Sequence, residues 1–166
     1  MRRSLPYVAV YLAAIVAANW SITHWGPKAA VYNAFLLIGL DLVTRDKLHD
    51  MWAGRGLWPR MAVLVATGSL LSYYVFGAGG KIAFASAVAF ACAATLDAVV
   101  YHAAQRLEWV ARSNLSNVFG AAADSVVFQT VAFGWSFPLI FAQFTAKTAG
   151  GVCWSLLLRL ARRGVE

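Results

Sequence analysis

Along this chain the apolar positions do not alternate with polar ones but gather into long runs, broken at a few points by glycine, proline or clustered charge. A helix needs about 20 predominantly apolar residues to cross a hydrocarbon core at 1.5 Å rise per residue. The runs predict six such helices, over 5–22, 29–44, 60–76, 81–103, 117–135 and 138–158. Gly26 and Pro27, Gly77 to Gly80, and Gly134 to Pro138 punctuate three tight turns of the kind that join antiparallel helices.

Composition supports lipid as the solvent. The chain is 61% hydrophobic and only 13% charged, with a mean hydropathy of +0.64, whereas a soluble domain carries about a quarter charged residues. The expected fold class is an all-α integral membrane protein, one six-helix domain over residues 1–166. Charge then orients it. Arg2, Arg3, Arg45, Lys47, Arg55, Arg60, Arg106, Arg112, Arg159, Arg162 and Arg163 fall on alternate connections and the ends, while only Lys28 and Lys81 fall on the opposite side. Positive residues collect on the cytoplasmic face, so both termini are expected there, in a multi-pass protein of the cell (inner) membrane. The net charge of +7 reads as topology and as attraction to anionic headgroups of the lipid bilayer. Its scatter over four short segments excludes a nucleic-acid stripe. Asn19 to Ile22 offer no small-residue cleavage site, so the first helix is retained and not a signal peptide.

Several features have plain structural readings. Cys92 and Cys153 lie within apolar spans and read as small core residues, not as a disulfide or a metal pair. Trp20, Trp25, Trp52, Trp58, Trp109 and Trp135 fall near span ends, as an interfacial belt would. Ala9, Ala13 and Ala17, with Ala14 and Ala18 beside them, form a stripe that permits close helix approach, within the monomer or against a partner subunit. No short-period repeat is present, and nothing in the residue pattern establishes two related halves.

The costly residues are the polar ones inside spans. An ionised Asp near a span centre costs roughly 2.5–3.5 kcal/mol on insertion scales and usually faces protein or water. Asp97 lies about six residues before the cytoplasmic end of its span and Asp124 about seven after the start of the next, so both are expected roughly 9–10 Å deep, lining one cavity. Tyr101 is one turn from Asp97, and Asn117 and Gly120 share the face of Asp124. Gln129 with Ser125 makes a second stripe. On the last helix Gln143 and Lys147 are one turn apart, with Gly150 and Gly151 beyond, and a mid-membrane lysine calls for a carboxylate, Asp124 or Asp97. On the second helix Asn33 and Asp41 share a face, and Asp41 with Arg45 reads as a salt bridge anchoring the helix at the interface. Such a set suggests a path for a small planar heterocyclic substrate: a carboxylate accepts paired N–H groups, Asn and Gln match mixed edges, and Phe119, Phe128 or Tyr101 can stack.

The stretch "FASAVAFACAATLDAVVYHAAQRLEWVARSNLSNVFGAAADSVVFQTVAFG", residues 84–134, resembles the putative vitamin uptake family, whose better-understood members are queuosine precursor transporters. The resemblance rests on Asp97 followed by Tyr101 and His102, then Arg112, Ser113, Asn114, Ser116 and Asn117, then Asp124 followed by Ser125 and Phe128. It implies import of a 7-deazaguanine, most simply 7-cyano-7-deazaguanine, with Asp97, Asp124, Asn114, Asn117, Tyr101, Gln129, Gln143, Lys147 and Asn33 as the candidate substrate-binding set. No cofactor and no enzymatic step are expected. No phosphate-cradling G-x-x-x-x-G-K-[ST] loop occurs, so transport would be facilitated, ion-coupled or driven by an energising membrane subunit. Two other readings stay open: a vitamin-binding subunit working with such a partner, and a haem-carrying anchor using His49, in the polar loop "RDKLHDMW", and His102. A homo-oligomer is compatible with any of them.

Overall fold

Long runs of residues with helical propensity, with no interior proline to break them, give helices and nothing else among the described residues. The computed structural model describes residues 4–25, 29–54, 56–75 and 81–163. The helices are α1 (Leu5–Trp25), α2 (Ala29–Asn33), α3 (Gly39–Trp52), α4 (Leu57–Val75), α5 (Lys81–Ala103), α6 (Trp109–Phe133) and α7 (Phe137–Arg163). A π-helical turn, Ala34–Ile38, joins α2 to α3. The backbone stays right-handed helical on both sides of it, at Asn33 (φ −63°) and at Gly39 (φ −58°), so α2, the π turn and α3 make one rod and the described residues form six rods. Of the three expected turns, Gly134 to Pro138 is seen. Gly134 has a φ of 94°, open to glycine at no cost, and Pro138 sits in the first turn of α7, where its missing N–H has no partner to lose. The turns at 26–27 and 77–80 lie outside the described residues.

The rods pack in sequence, α4 on α5, α5 on α6 and α6 on α7, with α1 against α3 and α4. α3 touches α1, α4, α5, α6 and α7 and so runs through the middle. It is also the most charged helix: ten of its 14 residues are buried, Asp41, Arg45 and Asp46 included. An apolar cluster closes one side of it, with Tyr11 and Ile15 from α1, Leu48 and Trp52 from α3, and Met61 and Leu64 from α4.

Several expectations are corrected. The second rod does not end at 44 but at Trp52, and α6 starts at Trp109 rather than 117, because their polar ends are buried against each other instead of lying in loops. His49 is therefore a helical core residue. Cys92 and Cys153 are exposed and unpaired. Ala14 and Ala18 face the core, whereas Ala9, Ala13 and Ala17 face outward. Trp52 is buried, while Trp20, Trp25, Trp58 and Trp135 are exposed. Among the described residues one stretch, Phe84–Ala103, is by itself long and apolar enough to cross a membrane, with Leu5–Ser21 a shorter apolar stretch. In α6 and α7 polar residues, Asn117, Asp124, Gln129, Gln143 and Lys147 among them, dilute the apolar run.

Glycine permits the closest contact in the fold. A Cβ added to Gly39 would stand 2.6 Å from the Gly150 carbonyl carbon, and one added to Gly150 would fall on the Phe35 carbonyl oxygen. α7 thus lies directly on the π turn. The turn also leaves the Leu36 carbonyl free to accept a hydrogen bond from Trp154 Nε1 at 2.8 Å. Gly150→Ala is expected to lower stability by about 1–3 kcal/mol through overpacking, read as a lower thermal midpoint in detergent, while Cys153→Ala on the exposed side of the same helix leaves it unchanged.

Candidate functional site

Arg45 is 1% exposed, and a guanidinium cannot shed its charge. Its Nε donates to Asp97 Oδ2 at 3.0 Å, its Nη2 lies 3.0 Å from the same oxygen, and its Nη1 is 3.8 Å from Asp41 Oδ2 one turn back. The interfacial Asp41–Arg45 anchor expected from the spacing is instead part of a sealed core pairing, and the closer partner is Asp97 on α5. Asp46, the next residue on α3, accepts from Ser113 and, at 3.4 Å, from Ser116 on α6. Gly120 makes room for this: a Cβ there would meet Asp97 Cβ at 3.1 Å.

One turn further along α3, Asp50 completes the inner seam. It accepts from the Tyr101 hydroxyl at 2.8 Å and from Arg112 Nη1 at 2.9 Å. Arg112 also donates from Nε to the Tyr101 carbonyl at 2.7 Å and lies 3.7 Å from the centre of the Tyr101 ring, a cation–π contact. His49 packs against Tyr101 and His102, with ring centroids 5.0 and 5.5 Å away. This contact of the two imidazoles with each other and with Tyr101 and Trp58 is an aromatic packing cluster. Among the described residues no group of three or more His, Cys, Asp or Glu is arranged to hold a metal.

A second polar group lies apart. Lys147 on α7 pairs with Asp124 on α6 and donates to Ser125 at 3.1 Å and to Gln143 at 3.3 Å. Gln143 in turn donates to Gln129 at 3.2 Å, and Gln129 reaches the Gly134 carbonyl at 3.4 Å. Lys147 is nearly buried, while the Asp124 side chain is 22% exposed. A cavity of about 70 Å³ opens against this pair, room for a few waters. Asp124, Lys147, Gln143 and Asn33 supply its polar wall, and Phe90 and Phe128 an apolar one. Asn33 is oriented by donating to the Ala18 carbonyl and to Ser21 on α1.

The sequence-derived candidates thus divide. Asn33, Asp124, Gln143 and Lys147 meet at the cavity, with Gln129 one hydrogen bond behind them. Asp97 and Tyr101 do not line it: both are fully buried, one on Arg45 and one on Asp50. Matched depth on consecutive helices did not bring the two carboxylates to one cavity, because Asp97 is drawn toward α3. Asn114 accepts from Ser155 at 3.3 Å, and the Asn117 amide packs on Gly151. Phe119 is exposed on the outside. Unforeseen members of the seam are Arg45 in its pairing with Asp97, the buried Asp46, the partly exposed Asp50, and the serines 113 and 116. Their signal was present in the spacing 41, 45, 46, 49, 50, which is one face of a helix.

Breaking the Arg45 pairing should be far costlier than breaking a surface pair. Arg45→Met strands Asp97 and Asp41 and is expected to cost on the order of 3–5 kcal/mol. Arg159, whose 2.8 Å bond to Glu108 is solvent-exposed, should cost under about 1 kcal/mol as Arg159→Ala. Denaturant or thermal unfolding in detergent checks the contrast; equal losses would contradict it.

Comparison with known proteins places the chain. A family model described as putative vitamin uptake transporter matches residues 7–161. No curated protein and no solved structure matches. With nearly its whole length covered, the chain belongs to the putative vitamin uptake transporter family.

Proposed function

We propose that this protein is a six-span transporter of the cytoplasmic membrane, with both termini inside, that imports a planar, polar bicyclic base of the 7-deazaguanine type, 7-cyano-7-deazaguanine first among them. The orientation is supported by the lopsided distribution of Lys and Arg over alternate connections. Membership of a transporter family supports the class of activity. The observation that carries the substrate reading is the cavity at the Lys147–Asp124 pair, where one accessible carboxylate, one ammonium and three carboxamides, Asn19, Asn33 and Gln143, face two phenyl rings.

That set matches the recognition edge of a guanine-like base. Its ring N–H and exocyclic amino group point the same way and can both donate to the two oxygens of Asp124. Its carbonyl lies beside them, where the Lys147 ammonium or the Gln143 amide can donate. Phe90 and Phe128 offer flat apolar contact to the ring faces. The carboxylate and ammonium satisfy each other, which is what keeps two costly groups in the membrane. A base enters by displacing the ammonium from the carboxylate and widening the gap between α6 and α7. Both ions keep hydrogen-bonding partners throughout.

The family description also favours a second reading, in which the occupant is a vitamin; a separate membrane subunit would then supply the energy. One binding experiment separates them. Purified protein is titrated with 7-cyano-7-deazaguanine, guanine and a panel of vitamins, using thermal stabilisation as the readout. The deazaguanine is expected to stabilise, and a ligand lacking the exocyclic amino group to stabilise less. Asp124→Asn, which turns one acceptor into a donor facing a donor, should weaken binding by at least roughly 1–3 kcal/mol. Stabilisation by a vitamin alone would replace the substrate; unchanged affinity in Asp124→Asn would remove the carboxylate from recognition.

A further inference from the structure

The cavity at Lys147 has a second void on the far side of one side chain. A groove of about 560 Å³ runs between the end of α1 and α2 with its π turn. Trp20 and Trp25 of α1, Tyr32 of α2, and Leu36 of the π turn line it, and all four are exposed. The groove is thus open to its surroundings and rimmed by aromatic faces on which a flat solute can stack. Asn33 lines both this groove and the cavity, and it is the residue that the two share.

Asn33 closes the gap by reaching across from α2 to α1. Its Nδ2 donates to the Ala18 carbonyl at 3.0 Å and to the Ser21 hydroxyl at 2.5 Å, and Ser21 donates in turn to the Ala18 carbonyl at 2.9 Å. Both amide hydrogens of Asn33 are therefore spent on α1. Hydrogen bonds between spans commonly do no more than hold helices together; this one also stands between two voids.

The element that carries Asn33 is lightly held. α2 is five residues long and has no charged side chain, and among the described residues it packs on α1, α7 and the π turn alone. Just beyond Asn33 the rod is pinned: the Leu36 carbonyl accepts from Trp154 Nε1 at 2.8 Å, and the Phe35 backbone lies on Gly150. α2 can therefore tilt away from α1 about the π turn while α3 stays in place. The polar contacts it must break are two hydrogen bonds between neutral groups, each a modest net contribution.

We propose that the bridge from Asn33 to Ala18 and Ser21 is a gate of the cavity, and that the aromatic groove is the entrance through which a flat solute reaches it from the external side. The side rests on the orientation proposed above, since the connection between α1 and α2 carries Lys28 alone among Lys and Arg. The gate does not rest on it.

A thiol behind the bridge reports on the gate without any substrate. In a background of Cys92→Ala and Cys153→Ala, Ser86→Cys puts that thiol in the cavity. A charged, membrane-impermeant methanethiosulfonate is then added to one face of sealed vesicles at a time. Modification is expected from the external face, faster by roughly three- to tenfold in Asn33→Ala and by less in Ser21→Ala. Ala17→Trp, which fills the groove from an exposed position, should slow it several-fold. A bridge that only holds helices together would lower the thermal midpoint of Asn33→Ala and Ser21→Ala and leave the rate at 86 unchanged, and that result would overturn the gate. Faster modification in both variants with no slowing in Ala17→Trp would overturn the groove as the entrance. A rate that responds to the bridge only from the cytoplasmic face would strike the orientation and leave the gate standing.

Discussion

A guanidinium that cannot be neutralised sits at the centre of this protein, and the packing follows from satisfying it. Arg45 is carried by the rod that touches five other helices, so its counter-charges must come from inside the bundle. One is supplied locally, by Asp41 a turn away, and the closer one by Asp97 on α5. Holding Asp97 against α3 fixes how α5 and α6 cross, since Gly120 must pass beside the same carboxylate. Asp46 and Asp50 extend the seam by binding Ser113 and Arg112, which draws the first two turns of α6 into the protein. A charged helix thereby becomes the core, at a cost that only near-complete pairing offsets.

The other half of the second rod has a different task. Beyond the π turn the pairing with α5 stops, α7 comes into direct contact through Gly150 and Gly151, and Asn33 turns toward the cavity. π turns lodge an extra residue and often mark functional positions, and this one separates the sealed seam from the open group around Lys147. One polar network holds helices together; the other keeps a carboxylate within reach of a solute. The Asp41, Arg45, Asp46 and Asp97 part of the first is buried, with Asp50 partly exposed at its end, whereas the second sets its accessible carboxylate against a cavity.

Much of this was legible in the sequence, for identifiable reasons. The six rods, the family and the need of Lys147 for a carboxylate all follow from local cues: run length, motif order and the cost of a lone ammonium in lipid. The residues 45–52 were misjudged because their charges resemble a cytoplasmic loop, and what makes them a core helix is a partner 52 positions away. Local pattern cannot see a pairing at that distance. The same blindness placed Asp97 beside Asp124, since equal depth on neighbouring helices says nothing of which way each side chain turns. Cys92 and Cys153 were taken inward for being small and apolar, but in a lipid-facing surface apolar residues belong outside as well.

The division between a sealed seam and an open cavity is the central claim, and thiol accessibility measures it directly. In a background with Cys92 and Cys153 replaced by Ala, one cysteine is placed at Ser86, which lines the cavity, and in a second protein at Ser113, which is 0% exposed beside Asp46. The account predicts that a small polar alkylating reagent modifies the Ser86→Cys protein, more slowly when 7-cyano-7-deazaguanine is present, and leaves the folded Ser113→Cys protein unmodified. Rapid modification at 113 with none at 86 would contradict it.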